Sequence, residues 1–448
     1  MKKRISLILA AVLVISLGVG AWLFFGGEAE MPTGTEAEVH SEFAPDYPTV
    51  SPTEPSDPEA ILAYRRDVVE AAMREQSAIL WSPAEDVTYS MYNASSGIAI
   101  DAEEHPESVV TLYANRVYQG IPYTHGSGSY YSWLSFATGQ NEKGVYTLTG
   151  LTDQLMTGQA ANRENRHARI GNDCADQLFW AWARISSTIR FQVTTGMTEF
   201  NGCLKVGDYE YDGNRFNNEN NTRQIVDRNG EQRMFRAYAQ LQKGDGMVLV
   251  NRYGEGHAVM VVSVHVEYTA SGDIDKTKSY VTVLEQTSGN EAEENHYYNE
   301  ELGCEVYLCE VMDKAWTFET IFGKGYIPVT CKELVDPSPR PAAAVTDNVK
   351  NLTADNMFSS MLQANYRFSS VTVTIYQGDQ VIQKATCYGH QEEMYEFNLF
   401  RFKNETEQTV IQGSIDLTAL PAGTYRCTFE ARLSTGDNIE FRNFEFTK

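Results

Sequence analysis

The sequence predicts an α+β unit followed by a small all-β sandwich, and three stretches carry that prediction. The segment "GNDCADQLFWAWARI" (171–185) turns from a polar loop into a helix with Leu178, Trp182 and Ile185 on one face, widened by Phe179 and Trp180. Further on, "GMVLV", "HAVMVVSVHVEY" and "SYVTVLEQT" are β-branched runs bounded by turn residues, the pattern of consecutive buried strands. After "VDPSPRPAAAV" (335–345) the chain alternates short strands with turns such as "QGD", "LPAG" and "STGD" for about a hundred residues, the texture of a two-sheet, Ig-like β unit.

Taken in order, the chain divides into four parts. Lys2, Lys3 and Arg4 precede an uncharged run from Ile5 to Phe25, close to the ~20 residues that span a bilayer. Trp22, Leu23, Phe24 and Phe25 stand where a secretory signal would carry a small-x-small cleavage site. Residues 1–27 therefore read as a cytoplasmic tip and a retained membrane anchor, with the rest of the chain outside the cell. Residues 28–57 hold repeated Asp, Glu and Pro with no Lys or Arg, a composition that extends as a linker rather than burying a core. Asp57-Pro58-Glu59 then offers a helix cap followed by proline at the first turn, and Ile61, Tyr64, Val68 and Ala72 recur at helical spacing. This helix opens the α+β unit, 58–335, and the β-sandwich occupies 345–448.

The whole chain of 448 residues carries a net charge of −24. Lys and Arg form no stripe for phosphates, so nucleic acid is excluded as a natural partner. Seven cysteines in an exported chain permit disulfides, and the odd number leaves at least one thiol free if pairing is intramolecular. Cys387 and Cys427, both in the sandwich, are candidates to pair. The run "NEAEENH" (290–296) reads as a solvated acidic loop, so neither a metal nor another cofactor is implied.

Chemistry centres on Cys174. A thiol attacks carbonyls as thiolate, and an ordinary pKa of about 8.5 leaves little of it at neutral pH. A helix N-terminus favours the negative charge, and an imidazole can take the proton. Cys174 stands at the start of its helix. Among the histidines, His257 in "YGEGHAVMVVSV" sits where a glycine-flanked turn enters an apolar strand. The next strand ends in Glu285 and Gln286, either of which could orient the ring, since adjacent strand residues point to opposite faces. The order is helix cysteine, strand histidine, then a polar residue on the following strand.

These residues, with "GIPYTHG" (120–126), "NDC" (172–174) and "LQKGDGMVLV", resemble the cell-wall cysteine hydrolases of the papain-like superfamily, the NlpC-type peptidases and CHAP amidases. The resemblance spans roughly 115–290. It implies a papain-like helix plus antiparallel sheet, with Cys174 as nucleophile, His257 as general base and Glu285 as the orienting acid, Gln286 being its competitor. It puts Tyr123 and Asp173 on the oxyanion and substrate side, with N–H groups of the helix start holding the oxyanion. The implied activity is hydrolysis of amide bonds in peptidoglycan peptides, as endopeptidase or amidase. This chain departs from the pattern at His125, Ala175, Asp176 and Thr287, and in its long 186–243 segment.

Two other functions fit the same residues: acyl transfer through the same thioester, and wall binding without catalysis. Trp180 and Trp182 read as core rather than substrate platform, and His125 and His167 as surface imidazoles. The loop-rich stretch 199–224 either shapes the substrate entrance or is a passive insertion. From the anchor reading, the mature protein should begin near Met1 and intact cells treated with protease should lose the large outer part. An N-terminus mapped near Glu28 by sequencing would mean that the segment is cleaved.

Overall fold

The structure is a computed structural model that describes residues 54–90, 109–124, 133–134, 136–151, 171–286, 295–309, 311–389, 395–403 and 411–448. The expected anchor and most of the linker lie outside the described residues, as do His125, His167, Thr287 and nearly all of the 290–296 run. No helix among the described residues is long and apolar enough to cross a membrane.

The predicted α+β, papain-like class is corrected. The described residues are mostly β, with five helices against 22 strands in five sheets, and no papain-like helix-plus-sheet core is evident. The reason is strand length. The stretches Leu80–Pro83, Val117–Gln119 and Tyr146–Leu148 are three or four residues long, too short for alternation to register in a sequence. Together with Ala137–Gln140, His296–Asn299 and Cys304–Leu308 they form a six-stranded mixed sheet that the sequence reading did not anticipate.

Helix α1 spans Pro58–Ala78, and Asp57 caps it by accepting from the Ala60 N–H at 3.0 Å. Its buried face includes two arginines among apolar residues. Arg65 donates to the carbonyls of Glu333, Asp336 and Ser338, and Arg66 to those of Lys243 and Leu334 and to Asp245. These bonds satisfy charges that burial would otherwise make costly. Helix α2 is Cys174–Ala183, and all ten of its residues are buried. Three shorter helices follow: α3, Thr222–Asn229, α4, Glu231–Tyr238, and α5, Phe318–Lys324.

A second six-stranded sheet carries the predicted consecutive strands. In chain order they are β1, Cys203–Lys205, β2, Gly246–Val250, β3, Gly256–His265, β4, Tyr280–Glu285, β5, Val311–Thr317, and β6, Ile327–Cys331. The spatial order is β5-β4-β3-β2-β6-β1, antiparallel throughout. Leu178 and Trp182 of α2 share one apolar cluster with Met247, Val248, Val259 and Val261 of β2 and β3.

The C-terminal part forms a three-stranded and a five-stranded sheet around a separate core that includes Phe368, Val373, Phe397, Phe429 and Leu433. Cys387 and Cys427 lie on strands that flank Phe368–Gln377 on opposite sides, facing Val371 and Ile375. An intervening strand separates them by about 9–10 Å across the sheet, and the four-residue offset between Val371 and Ile375 adds about 13 Å along it, beyond the reach of a disulfide. None of the seven cysteines is joined in a disulfide.

Between β2 and β3 the hairpin closes against the turn Thr194–Gly196. A Cβ at Gly256 would lie 1.9 Å from Thr194 Oγ1 and 2.9 Å from the Leu249 carbonyl oxygen. Gly256→Ala should therefore force the hairpin and the turn apart and destabilise the protein by about 1–3 kcal/mol. An unchanged denaturation midpoint would mean that the two segments are not in contact.

Candidate functional site

The first turn of α2 explains why the chain becomes helical at Cys174. Asp173 is the N-cap: its Oδ1 accepts from the N–H groups of Ala175 at 2.9 Å and Asp176 at 2.8 Å. Two of the four donors left over at a helix start are thereby satisfied. Asp173 turns back onto the helix, and the Ala175 and Asp176 N–H groups are engaged by it, which leaves the Cys174 N–H as the donor that the cap does not touch.

Cys174 is 5% exposed, His257 4% and Glu285 6%. His257 Nε2 lies 2.8 Å from Glu285 Oε1. The thiol of Cys174 is hydrogen-bonded to the same ring, and with Nε2 taken by Glu285 it is Nδ1 that serves it. Strand register accounts for the pairing. Leu284 on β4 stands opposite Met260 on β3, so continuing by one residue sets Glu285 opposite Val259, on the face that also carries His257.

Burial opposes charge on the His257 ring, but Cys174 and Glu285 outweigh it and push the imidazole up to about 10. Glu285 is buried too, yet its bond to His257, with Lys314 and Lys324 nearby, holds it below the usual carboxylate range. The arrangement is an imidazole set between a thiol and a carboxylate. Tyr326, which the sequence reading missed, lies near both Cys174 and Glu285. Burial and then their negative charges hold its phenol protonated.

Gln286 goes elsewhere. It is fully buried, and its Nε2 donates to the Ile121 carbonyl and to Asn172 Oδ1, both at 2.6 Å. Asn172 Nδ2 donates in turn to Gln76 Oε1 at 2.8 Å. Three buried amides thus tie the end of β4 to α1, to the residue two before Cys174 and to the segment that carries Tyr123. Tyr123 itself pairs with Asn172 as an isolated parallel bridge, and Thr124 N donates to the Asn172 carbonyl at 3.0 Å. Gly171 has φ +89°, and a Cβ there would lie 2.4 Å from Thr124 Oγ1, so only glycine lets the two segments meet. Gln76 gave no sequence signal beyond a polar residue on a helix. No cluster of His, Cys, Asp and Glu suited to a metal is found among the described residues.

The two neighbours on β4 should therefore fail in different ways. Glu285→Gln should lower turnover by about 10²-fold or more, as loss of an orienting carboxylate does elsewhere, with little change in denaturation midpoint. Gln286→Ala should cost about 1–3 kcal/mol of stability, because it strands buried partners. Steady-state rates and denaturant melts of both variants check this, and a stable Gln286→Ala with crippled turnover would reverse the assignment.

Comparison with protein-family models, with curated proteins and with solved structures finds no match to this chain.

Proposed function

We propose that this protein is a membrane-anchored extracellular cysteine hydrolase that cleaves amide bonds in peptidoglycan peptides. One observation carries the enzymatic part: a helix-start thiol hydrogen-bonded to a buried imidazole whose other nitrogen is held by a carboxylate. That is a nucleophile, a base and an orienting group in sequence, the arrangement that activates a weak nucleophile. The substrate class rests on the motif likeness to NlpC-type peptidases and CHAP amidases, and the location on the uncharged Ile5–Phe25 run.

In this reading the Cys174 thiolate attacks the amide carbonyl, and the Cys174 N–H, with the Tyr123 segment alongside, faces the developing oxyanion. The protonated His257 ring gives its proton to the leaving amine, which departs and leaves a thioester. His257, now neutral, takes a proton from water as it attacks, and the acid fragment leaves with the thiol restored. A ring that stays protonated to about pH 10 is a ready acid at neutral pH. Capture of the thioester by an amine instead of water would make the same site an acyl transferase.

The test is mass spectrometry of purified peptidoglycan fragments after incubation with the detergent-extracted full chain. New amine and carboxyl ends at one amide type should form, and Cys174→Ala should abolish them. Intact fragments after prolonged incubation, with bound protein, would favour the wall-binding reading. Cross-linked products would favour acyl transfer.

A further inference from the structure

Two of the cysteines face each other across neighbouring strands. Strand β1 is an edge of the antiparallel sheet, hydrogen-bonded to β6, and the register sets Cys203 opposite Cys331, Leu204 opposite Thr330 and Lys205 opposite Val329. One residue further, the Val206 N–H donates to the carbonyl of the facing Pro328 at 3.1 Å. That pair is therefore hydrogen-bonded. The two kinds of pair alternate along an antiparallel ladder, so Cys203 and Cys331 form a non-hydrogen-bonded pair. Their Cα atoms then stand about 4.5 Å apart with both side chains on one face, inside the range that a disulfide spans. Both are buried in the apolar cluster that also holds Leu178 and Trp182 of α2. Among the described residues no other two cysteines are opposed in a strand register.

Strand β1 is three residues long, and an edge strand of that length is held by few ladder bonds. What it anchors lies close to the candidate site. The Cys203 N–H donates to the Thr198 carbonyl at 3.1 Å, and the Thr198 N–H to the Gly196 carbonyl at 2.8 Å. Strand β1 is thus tied to the turn Thr194–Gly196, which abuts Gly256, the residue before His257. Burial pushes both thiols up, and for Cys331 the nearby Glu333, Asp245 and Cys203 add to the rise. A buried, protonated thiol exchanges slowly. A bond between these two must form before the strands close, and it then persists.

We propose that Cys203 and Cys331 join as a cross-strand disulfide when the chain folds in the presence of a small-molecule disulfide, and that the bond staples β1 and the loop before it to the sheet that carries His257. One cysteine thiolate attacks the external disulfide, giving a mixed disulfide and releasing one small thiol. The second thiolate attacks the protein sulfur of that mixed disulfide, forms the Cys203–Cys331 bond and releases the other small thiol. Two electrons pass to the external disulfide, and the two cysteine protons end on the two small thiols. The chain between the cysteines carries β2 to β5 with His257 and Glu285, so the bond closes a long loop around both, the case in which a cross-link constrains the unfolded chain most. The inference does not depend on Cys174 being the nucleophile. It takes its oxidant from the outside location in the proposed function.

The test reads the linkage directly. The detergent-extracted full chain is denatured, reduced and refolded with reduced and oxidised glutathione, its remaining thiols are alkylated, and the unreduced digest is mapped by mass spectrometry. A peptide pair joining Cys203 to Cys331, lighter by two hydrogens than the separate thiol peptides, is expected. Reductant added to the folded chain should leave the bond intact, and reductant with denaturant should open it. The linked chain should melt several degrees above the same chain reduced. In the double variant Cys203→Ala, Cys331→Ala that difference should vanish, whatever the variant's own midpoint. Both cysteines recovered alkylated, either one linked to a different cysteine, or equal midpoints for linked and reduced parent overturns the inference. The same map on chain alkylated as it is extracted from cells needs no refolding and separates the two readings. An open pair there beside a linked pair after refolding sustains the disulfide and removes the outside location from the proposed function.

Discussion

Helix α2 has no face in water, so every polar group on it must find its partner inside the protein. That requirement organises what surrounds it. The sheet formed by β2, β3 and β4 meets the side that carries Cys174, Leu178 and Trp182. The C-terminal sheets meet the side that carries Asp176 and Trp180, and α1 packs alongside. Trp182 sends its indole N–H to the Gly244 carbonyl at 2.9 Å. A helix of this kind is apolar almost all round, and at its first turn Cys174 and Asp176 are answered by His257 and Arg367, both distant in sequence.

Charge balance at that first turn follows from the same burial. Asp173 and Asp176 would both oppose an anion at Cys174. Asp173 has its oxygen on two backbone N–H groups, which spreads its charge into the helix. Asp176 faces Arg367. The positive charge next to the thiol comes from His257, and Glu285 makes that charge tolerable in a dry interior. Each ion here is stabilised by the next one, so the site is a chain rather than a set of independent residues.

The legible parts of the sequence were those written locally. The α1 cap at Asp57-Pro58, the helix start at Cys174 and the runs that became β2, β3 and β4 could be read because each signal lies within a few residues of the element it marks. Glu285 was preferred to Gln286 on its charge and on the motif it resembles, not on position, since strand parity depends on register, and register is a relation between strands. The fold class was misread because the additional sheet is made from strands too short to show a period. Arg65, Arg66 and Arg367 were passed over for a related reason: an arginine in a sequence reads as surface, and only the distant carbonyls and carboxylate that receive it make burial possible. The Cys387–Cys427 pair failed on spatial order, which composition does not encode.

That correction of fold leaves the chemical argument standing on its own ground. Acyl-transfer sites recur on unrelated architectures because the requirement is geometric, a nucleophile within reach of a base that is held by a third group. In the proposed site two adjacent antiparallel strands would supply the second and third members, and a capped helix laid against them the first. The buried amides of Gln76, Asn172 and Gln286 then fix where that helix begins. Glu285 and Gln286 are therefore complementary rather than rival: successive residues on one strand point to opposite faces, so one holds the imidazole while the other holds the loop that presents the thiol. A one-residue slip of β4 would exchange the two and lose both functions at once.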